Sequence, residues 1–267
     1  MDNLKVIIVG AGMGGLTTAL AMQQAGYKVE IYDRVSALRP AGAGISLWSN
    51  GVKVLNRLGL GQAIAAIGGP MAHMAYYEGK TGKLLTGFSL QPIVDRVGQV
   101  PYPVARTDLQ YLLLKAVGAE HVQLNQRCVA VEQTADSATA IFEDGHRATG
   151  DLVVGADGTH SLIRTHVLGH STERRYAGYV NWNGLVPVSE DLAAPNTWDI
   201  YVANGQRASL MPVGRDRFYF FFVVVYYFLF YLLFIPMFFI LPFSRCGSLP
   251  LFFCPILVAA APPLFIL

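Results

Sequence analysis

The chain has 267 residues and a formal net charge of +2, with 53% hydrophobic and only 14% charged residues. Near-balanced charge gives no electrostatic footprint for a nucleic-acid partner. Three cysteines (Cys128, Cys246 and Cys254) are too few and too scattered for a disulfide framework or a zinc site, so a reducing, cytoplasmic setting is the expectation.

The opening "MDNLKVIIVGAG" carries an acid at position 2 and a short apolar run that meets glycines at once, which reads as a strand and not as a signal peptide. Residues 4–9 are a continuous aliphatic run of buried-strand length. Gly10, Gly12 and Gly15 follow at G-x-G-x-x-G spacing, and residues 16–25 have helical composition closed by Gly26. A second strand over residues 28–32 delivers Asp33. In such a unit the first glycine permits the tight turn, the second lets backbone approach a pyrophosphate, and the third allows close helix–strand packing. The helix N-terminus faces the phosphates and the acid accepts from a ribose. Strand, helix, second strand and terminal acid in one register set this stretch apart from a strand–turn–helix with chance glycines.

Further along, "ARTDLQYLLLKAVG" reads as a helix with Thr107 and Gln110 in capping-box register and a terminal glycine. Short strands follow, with a turn at Asp144-Gly145. In "GDLVVGADGTHSLIRT" a buried strand ends at Asp157-Gly158, with Ser161 and Arg164 at D-G-x-x-S-x-x-R spacing. A nicotinamide dehydrogenase has no need of this second strand-to-turn element. A flavoprotein that places FAD and then meets a pyridine nucleotide does.

Taken together, residues 4–222 resemble the N-terminal part of the class A flavoprotein monooxygenases, the para-hydroxybenzoate hydroxylase type, and among them the FAD-dependent urate hydroxylases. The stretches that carry the finer resemblance are "AGAGISLWSNGVKVLNRLG", "GGPMAHMAYY", "RRYAGYVNWNGLVPV", "RASLMPVG" and "RFYFFF". The resemblance implies an α/β fold: a discontinuous Rossmann-like FAD domain (residues 1–70 and 103–170) with an inserted antiparallel substrate sheet (residues 71–102 and 171–222). It implies that Gly14 lies in the pyrophosphate turn with Gly10, Gly12 and Gly15, and that Asp33 and Arg34 sit at the adenosine ribose. Ser46 is placed near the flavin, and Arg106 on the cofactor from its helix start. Cys128 marks the strand that meets the adenine, while Asp157, with Gly158, serves both FAD and the approach of NADH or NADPH.

For substrate, Asn181, Arg207 and Tyr219 match positions around urate, with Arg207 and Tyr219 as the catalytic pair. Urate is a carbonyl-rich anion, so a guanidinium pairs with it and an amide and a phenol orient the ring. Taken alone, Arg207 reads as a surface strand residue, Tyr219 as core and Asn181 as an exposed polar residue; the surrounding resemblance is what distinguishes them. The implied activity is hydroxylation of urate to 5-hydroxyisourate with NAD(P)H and O2, in purine catabolism. Another aromatic-ring hydroxylase, or a non-catalytic membrane-tethered remnant, is the alternative. No metal site is expected: His166 and His170 have i, i+4 spacing, but Gly169 interrupts the helix and no carboxylate is suitably placed. Trp182, Trp198, Met71 and Met74 read as packing residues.

The expected family pattern stops near residue 222. The Gly-Asp element and long helix that complete the FAD domain in this family have no counterpart, since the only Gly-Asp, Gly150-Asp151, belongs to the earlier strand. A chain truncated in this way is expected to retain flavin weakly. The last acid is Asp216, and beyond Arg217 the only charge is Arg245. Residues 223–267 read as an apolar non-family tail, translated out of frame or misjoined. The alternative is a membrane tether over residues 218–243, long enough to span a bilayer but interrupted by Pro236 and Pro242.

Overall fold

The computed structural model describes residues 4–38 and 43–225. The first segment runs β1 (Lys5–Val9), α1 (Met13–Gln24), β2 (Lys28–Tyr32), β3 (Gly44–Leu47), α2 (Ser49–Arg57) and α3 (Gly61–Ile67). An excursion adds β4 (His73–Glu78), β5 (Leu84–Ser89) and α4 (Gln91–Val97). The chain returns through β6 (Tyr102–Ala105), α5 (Arg106–Val117), β7 (Val122–Gln123), β8 (Cys128–Gln133), β9 (Ala138–Phe142), β10 (Arg147–Gly150), β11 (Leu152–Gly155) and α6 (Leu162–Leu168). It ends in β12 (Tyr179–Pro187), β13 (Thr197–Ala203), β14 (Gln206–Val213) and β15 (Arg217–Val225).

The aliphatic run of β1 is buried on both faces because it sits inside a parallel sheet of order β11-β1-β2-β7. Its side chains alternate between two cores. Val6 and Ile8 pack with α1 and α5, which present Leu16, Ala19 and Leu20, and Leu109, Leu113 and Val117, at three- and four-residue spacing. Ile7 and Val9 pack the other way, against Ala140 and Phe142 of β9, Ala148 of β10 and Ile163 of α6. Ile7 and Ile8 are both 0% exposed, and each such side chain contributes about 1.5–3 kcal/mol by burial. The result is helices, parallel sheet and a β10-β9-β8 antiparallel sheet in three layers.

The remaining strands form a six-stranded sheet of order β12-β15-β14-β13-β4-β5. It is antiparallel except along one seam, where β13 pairs parallel with β4 (Thr197 opposite His73 through Val202 opposite Glu78). The seam arises because two antiparallel pieces, separated in sequence by the segment from β6 to α6, meet side by side. One face of this sheet buries Met74, Ile200, Met211 and Val213 against Met71, Leu90 and Trp48, so both methionines are core. Trp198 is half-buried and donates from Nε1 to Ser209 Oγ at 2.5 Å. Trp182 differs from the packing role expected of it: it is 38% exposed and stacks on Phe222.

β15 continues to Val225, three residues past the expected end of the family pattern, each paired to β12 (Val223 to Asn181, Val224 to Val180, Val225 to Tyr179). A membrane helix starting at Phe218 therefore meets a strand over residues 218–225. Among the described residues no helix is long and apolar enough to cross a membrane. The rest of the apolar tail, residues 226–267, lies outside the described residues.

Candidate active site

The glycines of the first turn separate by what surrounds them. Gly10 has φ +109° and a Cβ there would lie 2.2 Å from Ala156 O, so the left-handed backbone and the end of β11 both require glycine. A Cβ on Gly15 would lie 1.8 Å from Gly10 O, which is the close helix–strand approach in atomic terms. Gly12 and Gly14 would meet nothing within 4 Å. No neighbour among the described residues requires their side chains to be missing, and they leave the turn open beside the N-terminus of α1. That helix starts at an N-cap glycine with no side-chain cap and no acid in its first turn. Its leading amides thus lack intrahelical partners and face an uncompensated positive dipole end. Amides and open backbone of this kind fit the diphosphate of FAD.

Asp33, at the end of β2, turns its carboxylate onto this turn: Oδ2 accepts from Ala11 N at 2.7 Å and Oδ1 from Val35 N at 3.1 Å. Lone pairs remain to accept ribose hydroxyls. Arg34 beside it is exposed. A residue that sequence reasoning placed elsewhere joins them. Gln110 Nε2 donates to Ala11 O at 3.2 Å, whereas α5 takes Ala105 as its N-cap, so the Thr107–Gln110 capping box does not form. The helix starts two residues early because β6 runs directly into it, and the amide side chain is free to reach the turn.

At the end of β11, Asp157 accepts from Ser161 Oγ (2.5 Å), Leu162 N (2.7 Å) and Ile163 N (3.3 Å). Ser161 Oγ in turn accepts from Arg164 N at 2.9 Å, and the Arg164 guanidinium donates to Thr159 O at 3.0 Å. The motif spacing is therefore that of a capping network on α6, turned by Gly158 at φ +77°. Cys128 is half-buried nearby; burial first, and the Asp157 charge with it, push its thiol above the usual range, leaving it an unreactive neutral group.

The substrate-side residues converge. Asn181 and Arg207 both pair with Val223, one from β12 and one from β14, so the three share one rung and one face. Tyr219 and Phe221 lie on the same face of β15 by two-residue alternation. Arg207 Cζ sits 4.8 Å from the centroid of the Phe221 ring, which is 6.0 Å from that of Tyr219. Tyr219 rests on β3, where a Cβ at Gly44 would lie 2.5 Å from its ring. Ser46 is on the same short strand, opposite Pro103 of β6, and Arg106 N donates to Ala43 O at 3.1 Å. Burial pushes the Tyr219 phenol up, while the charges of Arg106 and Arg207 pull against it. Both guanidiniums are thus close to a hydroxyl that stays protonated at neutral pH. Asn181 Oδ1 is buried with no hydrogen-bond partner among the described residues, an orphaned acceptor of the kind a ligand donor satisfies. Gly44 was not singled out from the sequence; a glycine opening a strand opposite an aromatic run was the only signal.

An open groove of about 700 Å³ is lined by Gln23, Lys28, Glu30, Glu120 and Gln123 among others. It lies beside the edge strand and the start of β2, away from the carboxyl ends of the parallel strands where ligands of open α/β sheets bind. It shares no residue with the constellation above.

The family described as FAD binding domain matches residues 3–227. The chain is 47% identical over 221 residues to an FAD-dependent urate hydroxylase of Klebsiella pneumoniae, a match covering 83% of this chain and 58% of that protein. It is 49% identical over 224 residues to the enzyme so named from Mycolicibacterium vanbaalenii, covering 83% and 57%. Among solved structures, Klebsiella pneumoniae HpxO complexed with FAD and uric acid superposes with a TM-score of 0.81 at 46% identity, covering 84% of this chain and 57% of that one. The chain thus spans less than two thirds of the length of the relatives it matches.

Proposed function

The chain belongs to the FAD-binding domain family of the class A flavoprotein monooxygenases, and on that premise we propose that it serves FAD-dependent hydroxylation of urate. The reaction is urate + NAD(P)H + H⁺ + O2 giving 5-hydroxyisourate + NAD(P)⁺ + H2O. The observation that carries the reading is the single sheet face that holds Asn181, Arg207 and Tyr219, with the Asn181 carbonyl unpartnered and two guanidiniums acting on the Tyr219 phenol. The names of the relatives point to the same substrate.

In this reading the first-turn amides around Gly12 and Gly14 take the diphosphate, and Asp33 takes the ribose. Ser46 and Arg106 flank the ring system from β3 and the start of α5, and Asp157 fixes the start of α6 beside it. FAD held by these residues would supply the hydride-accepting and O2-activating chemistry. Arg207 binds the urate anion and offsets the negative charge that develops on its carbonyl oxygens during attack. Tyr219, held protonated by burial, donates to a ring oxygen or nitrogen. Asn181 Oδ1 accepts a ring N–H, and Phe221 and Val223 form the apolar wall that keeps water from the reacting face.

The test is NAD(P)H oxidation by the purified protein with and without urate, with product analysis. Urate should stimulate oxidation and be consumed in proportion. Arg207→Gln should weaken urate binding about 10–100-fold, the worth of one charge-assisted hydrogen bond. Oxidation stimulated by an aromatic acid and not by urate would overturn the substrate assignment.

A further inference from the structure

Arg106 and Asp108 lie two positions apart at the start of α5, and Arg217 and Tyr219 lie two positions apart on β15. The same pair of elements is therefore joined twice. At the site, Arg106 N donates to Ala43 O at 3.1 Å, next to the Gly44 on which the Tyr219 ring rests. Outside it, the Asp108 carboxylate, with only 9% of its side chain exposed, binds the Arg217 guanidinium through Oδ2 and Arg215 through Oδ1 at 3.5 Å. Arg217 is gripped at a second point, its Nε donating to Gly214 O at 3.0 Å.

The hairpin that presents these arginines has little freedom. Arg215 and Asp216 take φ +63° and +50°, two left-handed residues within the three-residue turn that joins Val213 to Arg217. A Cβ on Gly214 would lie 2.0 Å from Ile67 O, and one on Gly69 2.4 Å from Pro212 O, so the hairpin is seated directly on the backbone following α3. Asp216 O accepts from Val188 N at 2.9 Å, tying the turn to the end of β12. The hairpin is thus a fixed block, and the Asp108 pair is its polar link to the helix that opens with Arg106.

We propose that Asp108 and Arg217 form a positioning clamp that sets the register of β15 against α5 and so holds the Tyr219 phenol on Gly44 beside Arg106. Neither residue contacts the reacting atoms; each acts through Tyr219. The inference rests on the functional reading only for its consequence in turnover, since the placement of Tyr219 is measurable without substrate.

The first test is the alkaline ultraviolet titration of Tyr219, taken as the difference between each protein and its Tyr219→Phe counterpart. In Asp108→Asn the ring shifts on Gly44 and relative to Arg106, so its ionisation should change, with Asp108→Glu restoring it. Unchanged ionisation in Asp108→Asn overturns the clamp whether or not urate is the substrate. If Asp108→Asn fails to fold, Arg217→Lys, which keeps the charge but loses the planar grip on Gly214, carries the same measurement.

The second test is a double-mutant cycle on urate turnover. Asp108→Asn should lower kcat about tenfold and raise the share of NAD(P)H oxidised to give H2O2 instead of hydroxylated product. In a Tyr219→Phe background it should add less than twofold. Additive losses assign Asp108 a general structural role and overturn the proposal. Absence of urate turnover in the unmodified protein counts against the functional reading alone, and the titration then decides the clamp.

Discussion

Gly12 and Gly15 share one turn, and replacing each by alanine should break different things. A Cβ on Gly15 lies 1.8 Å from Gly10 O, short of ordinary van der Waals contact by about 1.5 Å or more. Backbone cannot yield as a flexible side chain does, so α1 must lift from β1, an overpacking cost of about 1–3 kcal/mol or more. For a domain of this size that lowers Tm by roughly 3–10 °C. Gly12 has φ −71°, which alanine adopts freely, and its Cβ meets nothing within 4 Å. Gly12→Ala should cost under about 1 kcal/mol, the difference between these residues at an N-cap. The new methyl instead occupies the space beside the leading amides. Losing one charge-assisted contact of about 1.5–3 kcal/mol weakens FAD about 10–100-fold. Scanning calorimetry and fluorescence titration with FAD on both variants separate the two. If Gly12→Ala lowers Tm as far as Gly15→Ala while binding FAD as tightly as the parent, the first turn is a packing feature and its assignment to the diphosphate is wrong.

Other outcomes follow from the same geometry. Gly44→Ala places a methyl 2.5 Å from the Tyr219 ring, so it should reduce urate turnover about tenfold or more while FAD affinity changes little, read by kcat beside an FAD titration. The Tyr219 phenol is raised above its ordinary value of 10 by burial; its protonated form is favoured in the folded protein, so its contribution is complete below pH 10 and is lost as pH rises beyond. Turnover attributable to Tyr219 should therefore be flat from pH 6 to about 9, read as the ratio of parent to Tyr219→Phe. Asp199, 5% exposed with Oδ1 unpartnered, is pushed by burial to about 6 from 3.8. The folded state then holds this proton more tightly than the unfolded chain, so stability falls as pH rises from 3.8 to about 6. Asp199→Asn should remove that slope and stabilise the protein at pH 7.5 by about 1–2 kcal/mol, read by urea unfolding at pH 5 and 7.5. A slope that persists in the variant assigns it to other groups.

What the sequence made legible was mostly local. The run of residues 4–9, the glycine spacing and Asp33 describe β1 and β2 to within a residue and α1 to within three at its start, because strand burial, turn chemistry and the helix stop all sit within one short window. The Asp157 spacing was equally plain, although its most direct expression is the capping of α6 through Ser161. Identical glycines, however, hid opposite reasons: Gly15 answers to the carbonyl of Gly10 and Gly12 to no protein atom, a difference that only the packed turn reveals. Asn181 and Arg207 share a rung because β15 lies between their strands, and strand register across a sheet leaves no trace in spacing. The parallel β4–β13 seam is hidden for the same reason. Gln110 was assigned by spacing to a cap, but the run-on from β6 moved the start of α5 and released it to the first glycine turn. No sequence spacing points to the Asp108–Arg217 pair, since it depends on a hairpin docked on α3.

The most direct test is a structure of the protein after exposure to FAD and urate. The account predicts the diphosphate against the amides that begin α1, the ribose on Asp33, and urate between Arg207, Tyr219 and Asn181 with its N–H satisfying Asn181 Oδ1. Cofactor density away from that turn, or urate bound elsewhere with Arg207 still stacked on Phe221 and Asn181 still unpartnered, would contradict it.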